Sequence, residues 1–446
     1  MDVSRFTAEK ITSVFIALLL SVFVLAVGAD GYVSVTKFKF GLLVFLCGAY
    51  LLALILSFLM ARWKKKPLSR LGLTPIHWLL IVFLLCSAVS AVISPYFPKT
   101  VLGAHRWEGL VTVSCYVLIF FGVSLFGTPK KAYLYLFGGT MVLFCSLCFL
   151  QFMGKNPFGL YPDGLNYYDA GVSFRNVFLG TTGNCGFTAA ILSVAVLVFA
   201  VAVVRNKEKQ RFLLLIPLFM TVAVLLKIQV AAGILAVSAG LLLLWPLAMV
   251  KDHRKKRLVL ILLLLLILCG MVLLFFVDPG EGTLYEVHAL LHGDWNDDFG
   301  TKRLFIWKNV MPLVAEHPFF GGGCDTLGER MTVDFSRYDE GSGILYRASI
   351  DAAHNEYLNI LVNEGVFACL SYLAALVLSF VAFVKENRRS TSAAIWGGGV
   401  LGYCIQAFFG IRLCISAPLF WLCWGLFAAS LREDRKEMPS DGFCSL

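Results

Sequence analysis

"LVLILLLLLILCGMVLLFFV", residues 258–277, holds twenty consecutive positions with no charged side chain. A helix rises 1.5 Å per residue, so about twenty apolar residues cross the roughly 30 Å hydrocarbon core of a bilayer. The run is continuously apolar rather than alternating, which argues for a helix and against a barrel strand. "KDHRKKR" precedes it and "DPGEG" follows it, so both ends are polar. Similar runs recur along the whole chain, at roughly 11–29, 38–60, 76–94, 108–126, 131–151, 178–204, 212–228, 230–250, 365–384, 393–411 and 415–431. Only "KIQ" divides the seventh run from the eighth. The first is too long for the apolar core of a signal peptide, although Val27 and Ala29 have cleavage-site spacing, and it reads as a retained helix. The expectation is an all-α polytopic membrane protein with about 12 transmembrane helices.

Composition agrees. Of 446 residues, 59% are hydrophobic and 15% charged, and the mean hydropathy is +0.80, which excludes a water-soluble globule. The net charge of +10 raises the question of nucleic acid, and its distribution answers it. With both termini placed in the cytoplasm, 24 of the 38 lysines and arginines fall on inner segments. Of the 14 outside, six lie in one long loop, where charge counts little for orientation. The basic charge therefore sets orientation and meets anionic lipid; no nucleic-acid partner is expected. Most of the 13 cysteines lie inside the apolar runs, where Cys behaves as a small hydrophobe. Cys324 alone sits in the long loop, so no disulfide framework is expected.

The chain divides into nine spans (1–277), an extracytoplasmic loop (278–364), three further spans (365–431) and a polar cytoplasmic tail (432–446). Loops as long as the first are uncommon without a role. Four of the seven histidines lie in it: His288, His292, His317 and His354. "TKRLFIWKNVMPLVAEHP", 301–318, reads as a helix with Thr301 as N-cap and Leu304, Trp307, Met311 and Val314 as its apolar stripe. "DAAHNEYLNILVNEG", 351–365, reads as a second, with Asp351 as N-cap and His354 at the third helical position. His354, Leu358, Leu361 and Gly365 share one face there; Asn355, Asn359 and Asn363 line another. Both helices are expected on the outer membrane face.

His354 is the candidate catalytic residue. The positive end of a helix favours neutral imidazole, which accepts a proton from an attacking hydroxyl. Asp351 or Glu356 opposes that shift, so the protonation state stays open, and a histidine that merely bonds lipid headgroups is the competing reading. Arg106, Arg175, Arg303 and Arg412 face outward at span ends, where guanidinium forks onto phosphate oxygens. Lys227, beside Gln229, has the same position and either snorkels or serves function. Arg330, Arg337 and Arg347 read as interfacial. "HALLH", with His288 and His292 one turn apart, is a weak metal signal, and no metal or other cofactor is expected. "HPFFGGG", 317–323, lacks the GK[ST] of a phosphate loop and reads as a tight turn.

"AHNEYLNILVNEG" resembles the H-N-x9-G motif of the O-antigen ligase and polysaccharide polymerase superfamily of bacterial membrane glycosyltransferases. "TKRLFIWKNVMPLVAEHPFFGGG" is similar to that family's R-x3-W helix and P-x-x-G-x-G turn. "RWEGL" and "GTTGN" resemble its R-x-E-G-L and G-T-x-G-N stretches, so the likeness runs from about residue 100 to 430. The resemblance implies a lipid-donor glycosyltransferase membrane fold. It implies transfer of a glycan from an undecaprenyl-diphosphate carrier to a glycan or lipid acceptor hydroxyl, outside the cytoplasmic membrane, with inversion and without metal. It also implies the catalytic role for His354 and diphosphate binding by Arg303. Some positions depart from the family. Near 230 the usual serine-arginine pair is "KIQVAAG", where Lys227 or Gln229 stands in or the contact is lost. "GNCG" replaces G-N-P-N, and Ala368 follows the motif glycine. Ligase and repeat-unit polymerase differ only in acceptor and stay undivided. A flippase or transporter is the rival class, although such folds gather polarity at the midplane, whereas here it gathers outside.

Overall fold

The computed structural model describes residues 3–65, 72–161, 166–167, 172–173, 179–244, 246–247, 250, 252–339, 344–386 and 389–437. Its helices are α1 (Val3–Leu20), α2 (Val22–Leu25), α3 (Val35–Trp63), α4 (Pro75–Ile93), α5 (Lys99–Leu102), α6 (Leu110–Phe126) and α7 (Lys131–Phe152) in the first third. Then come α8 (Cys185–Arg205), α9 (Leu215–Ile228), α10 (Ala231–Leu244), α11 (His253–Phe276), α12 (Gly282–Leu291) and α13 (Phe299–Glu316). The last are α14 (Leu327–Arg330), α15 (Glu356–Glu386), α16 (Thr391–Ala407) and α17 (Ala417–Glu437). Two short 3-10 helices, Gly31–Ser34 and Lys209–Leu214, and two antiparallel ribbons are also described: β1 (Asn166–Tyr167) with β2 (Val172–Ser173), and β3 (Asp334–Asp339) with β4 (Ile344–Ser349). The second ribbon falls in the long loop, where the sequence pattern called only for helices.

Local chemistry starts several helices. Thr74 caps α4 in a capping box with His77, and Pro75 opens the helix where its missing N–H costs nothing. Asn184 caps α8 through the Gly186 amide, Asp252 caps α11, and Ser390 caps α16. A helix lies within each of the twelve apolar runs among the described residues. Eight helical stretches among the described residues are long and apolar enough to cross a membrane. Leu110–Phe126 and Ala231–Leu244 are apolar but shorter, α16 has 17 residues, and α17 ends in the charged "REDRKE".

The core forms where α15 packs on α4, α16 on α8 and α17 on α6. Tyr116, Tyr372, Trp421 and Trp424 fill its centre. Small residues let α16 approach α8: a Cβ on Gly402 would stand 2.5 Å from Leu197, and one on Gly399 2.8 Å from Val198. The Leu-rich α11 differs, since none of its apolar window is buried. That exposed Leu surface suits a helix bathed in lipid over most of its length.

One junction shapes the polar end of the bundle. Gly365 interrupts α15 with φ 86° and ψ 176°, which frees backbone groups of the preceding turn. The turn at 319–323 docks there: Gly322 and Gly323 donate to Val362 and Asn363 carbonyls, and the Val366 amide donates to Pro318. Ser90 Oγ also donates to the Asn363 carbonyl, and Ser94 Oγ to that of Gly322. A Cβ on Gly321 would lie 2.3 Å from Asn363, and one on Gly365 2.3 Å from Phe319. Irregular backbone at membrane depth is tolerated where protein satisfies it. The expected surface helix is corrected by this packing. Glu356, Asn363 and Glu364 are buried inside the protein rather than laid on the membrane face.

Candidate functional site

His354 precedes its helix rather than lying in it. α15 begins at Glu356, and Asn355 is the cap, its Oδ1 accepting from the Leu358 amide at 3.0 Å. Asp351 is not the cap expected from sequence. Instead it grips Arg106 with two bonds of 2.8 Å, from Nε and from Nη2. His354 has φ 47°, a left-handed conformation that non-glycine residues rarely adopt and that gathers at functional sites. Its segment is pinned from both sides. Trp307 Nε1 donates to the Ala353 carbonyl at 2.9 Å, and the Ala353 amide donates to Asn359 Oδ1 at 3.1 Å.

Arg303 opens the regular part of α13, after three residues of positive φ, Gly300, Thr301 and Lys302. Thr301 therefore caps nothing here. The buried side of the helix is Ile306 and Val310, with Trp307 and Val314 partly covered and Met311 exposed, so the expected stripe is rotated by about one residue. The Arg303 guanidinium donates to the carbonyls of Phe409, at 3.2 and 2.9 Å, and Gly300, at 2.6 Å. These are neutral acceptors, so its charge is not cancelled by a carboxylate bond.

His354, Arg303 and Arg106 meet at one cavity of about 460 Å³. Asn184 and Gly186, at the start of α8, also line it, with Lys302, Asp298 and the buried Gln406. Burial pushes the His354 imidazole down to about 4, and the Arg106 and Arg303 charges push the same way against Asp351. The ring is therefore neutral at pH 7, for a reason other than the helix dipole. Burial raises the Asp351 carboxyl, but Arg106 outweighs it and holds the group below its usual value. Burial lowers Arg303, with Glu286 opposing. The arrangement offers cations and a helix start to an anion, next to a neutral base.

Not every expected residue is at this cavity. Arg175 lies outside the described residues. Lys227 is exposed, its ammonium 5.3 Å from the Phe152 ring centre, and it does not line the cavity; Val230 and Ala232 of the following turn do. Arg412 is corrected more sharply. It is 2% exposed and pairs with Glu108 at 3.3 Å and Glu364 at 2.5 Å, so its fork is spent on carboxylates. Arg330 is no interfacial arginine either: it donates to the Val362 carbonyl and to Asn363 Oδ1. His288 meets the Leu274 carbonyl at 2.6 Å, and His292 stacks on Phe275. Among the described residues, no group of three or more His, Cys, Asp or Glu is placed to hold a metal. Lys302 and Gln406 carried no sequence signal beyond their neighbours, and Asp325 had none. Asp325 receives the amides of His105 and Arg106 and so shapes the loop that presents Arg106.

An alignment of 155 positions that covers 30% of the chain is similar to the ATP-binding cassette sub-family A member 9 of Homo sapiens at 23% identity. The chain spans 9% of that protein's length. Residues 216–373, which include Arg303, His354 and Gly365, match the family model described as O-antigen ligase. That match covers about a third of a chain with eight helical stretches long and apolar enough to cross a membrane, and makes this part of the chain similar to the O-antigen ligase family.

Proposed function

We propose that the protein transfers a glycan from undecaprenyl diphosphate to an acceptor hydroxyl at the cavity around His354. In this reading the cavity opens on the outer side of the cytoplasmic membrane, about twelve helices cross the bilayer, and both termini are cytoplasmic. The observation that carries the proposal is the meeting of a neutral histidine with two arginines at one polar cavity in a membrane protein. A glycosyl diphosphate already has a good leaving group, so the enzyme must stabilise departing charge and take one proton. The acceptor oxygen attacks the anomeric carbon as the bond to the diphosphate oxygen breaks, inverting the centre. The bonding pair leaves with the diphosphate, toward Arg303 and the start of α8, with Arg106 beside them held in place by Asp351. The hydroxyl proton passes to His354. Bound diphosphate offsets the two cations that depress the imidazole, which raises its basicity when a donor is present. No step calls for a metal.

Ligase and polymerase share this chemistry and differ in the acceptor. Mass spectrometry of the carrier-linked glycans that accumulate after gene deletion tests the proposal and separates the two. Long chains on the carrier indicate a ligase and single repeat units a polymerase. Unchanged carrier-linked glycans would remove both.

A further inference from the structure

A second polar cavity, of about 360 Å³, lies where α7 and α16 begin and α8 ends. α8 runs from Cys185, next to the His354 cavity, to Arg205 at this one; its 21 residues cover roughly 30 Å. α16 runs the other way, from Thr391 here to Gln406 there. The two cavities thus occupy opposite ends of the same packed helices. Lys130, Lys131, Arg205 and Lys207 line the second one, against a single acid, Glu208. Lys131 pairs with Glu208, and Lys130 reaches Ser13 Oγ at 2.8 Å and Glu9 at 3.5 Å. Asn206 lines the same cavity and is 7% exposed. Thr391 and Ser392 bring the first turn of α16, where backbone N–H groups point outward and favour anions. Beside this polar ring, Leu134, Ile395 and Trp396 supply an apolar wall.

We infer that this cavity binds the phosphate of an anionic lipid headgroup, at the membrane face opposite His354. The cations and helix start hold the phosphate, Asn206 supplies a neutral amide, and the apolar wall receives the glycerol and upper acyl carbons. Basic pockets between membrane helices recognise headgroups in this manner. The inference does not depend on the reaction proposed for the other cavity, because its readout is lipid binding.

The full chain in neutral detergent, titrated with phosphatidylglycerol or phosphatidylcholine and followed by native mass spectrometry, tests it. Phosphatidylglycerol should bind preferentially. Lys131→Gln combined with Lys207→Gln should weaken it about tenfold or more. Asn206→Asp, which keeps every lysine, should weaken it as well and decides the matter if the double variant aggregates. Equal binding of the two lipids, or binding indifferent to the variants, overturns the inference. Displacement of the lipid by millimolar inorganic phosphate would assign the site to free phosphate and overturn the lipid assignment.

Discussion

His354 acts, in this account, as an unprotonated ring held in a left-handed backbone conformation between two arginines. Its depressed pKa fixes a sign. Native protein binds fewer protons than unfolded chain between about pH 6.5 and 4, so the stability contributed by this group is complete above 6.5 and falls as pH drops toward 4. kcat/KM, which reports free enzyme, should likewise show no His354 limb near 6.5, and should decline only around pH 4. A midpoint near 6.5 that disappears in His354→Gln would contradict the placement of this ring. Arg303 is argued from geometry as well as charge. Its fork holds two backbone carbonyls, and a single ammonium cannot reproduce that. Arg303→Lys should therefore lose most of the transfer rate; full activity would leave only a need for positive charge.

At the scale of elements, the break in α15 and the turn docked on it form one unit. Gly365→Ala places a methyl 2.3 Å from the Phe319 carbonyl at a φ of 86°. Strain and clash together should cost about 3 kcal/mol or more, read as a lower thermal midpoint in detergent. An unchanged midpoint would mean that the turn does not bear on the break. Arg412→Ala leaves Glu108 and Glu364 buried without their cation, at about 3–5 kcal/mol, again read by thermal unfolding. These elements also show what a sequence can reveal. Apolar runs mark helices because burial in lipid or protein demands them, and the glycines of 317–323 and 365 marked a turn and a motif end. That the two meet depends on contacts between segments some forty residues apart, which no local pattern carries. The same limit explains Arg412: a lone arginine at a span end looks alike whether it faces phosphate or two carboxylates from distant helices. It explains His354 too. Asp351 has the composition of a cap, but Arg106, more than two hundred residues earlier in the chain, claims its carboxylate. Asn355 then starts the helix, later than the pattern suggested.

The whole molecule joins a helical bundle to a polar end that holds His354, Arg106 and Arg303. α11, with no buried face along its apolar window, fits a lipid-surrounded span that delivers the chain to the loop after residue 277. That loop should be outside: a single cysteine at Trp295, in a background without other cysteines, should react with an impermeant reagent applied to the outer face. Labelling only after access from the cytoplasmic side would reverse the orientation. The central claim, transfer from a polyprenyl-diphosphate donor at this cavity, is tested most directly by initial rates in liposomes. Purified protein is given donor and acceptor at pH 7 with EDTA, wild type beside His354→Ala. The account predicts that wild type forms glycosylated acceptor and releases polyprenyl diphosphate, and that the variant is slower by about 10²–10⁴ while still binding donor. No transfer by wild type until a divalent metal is added, or equal rates for the two proteins, would contradict it.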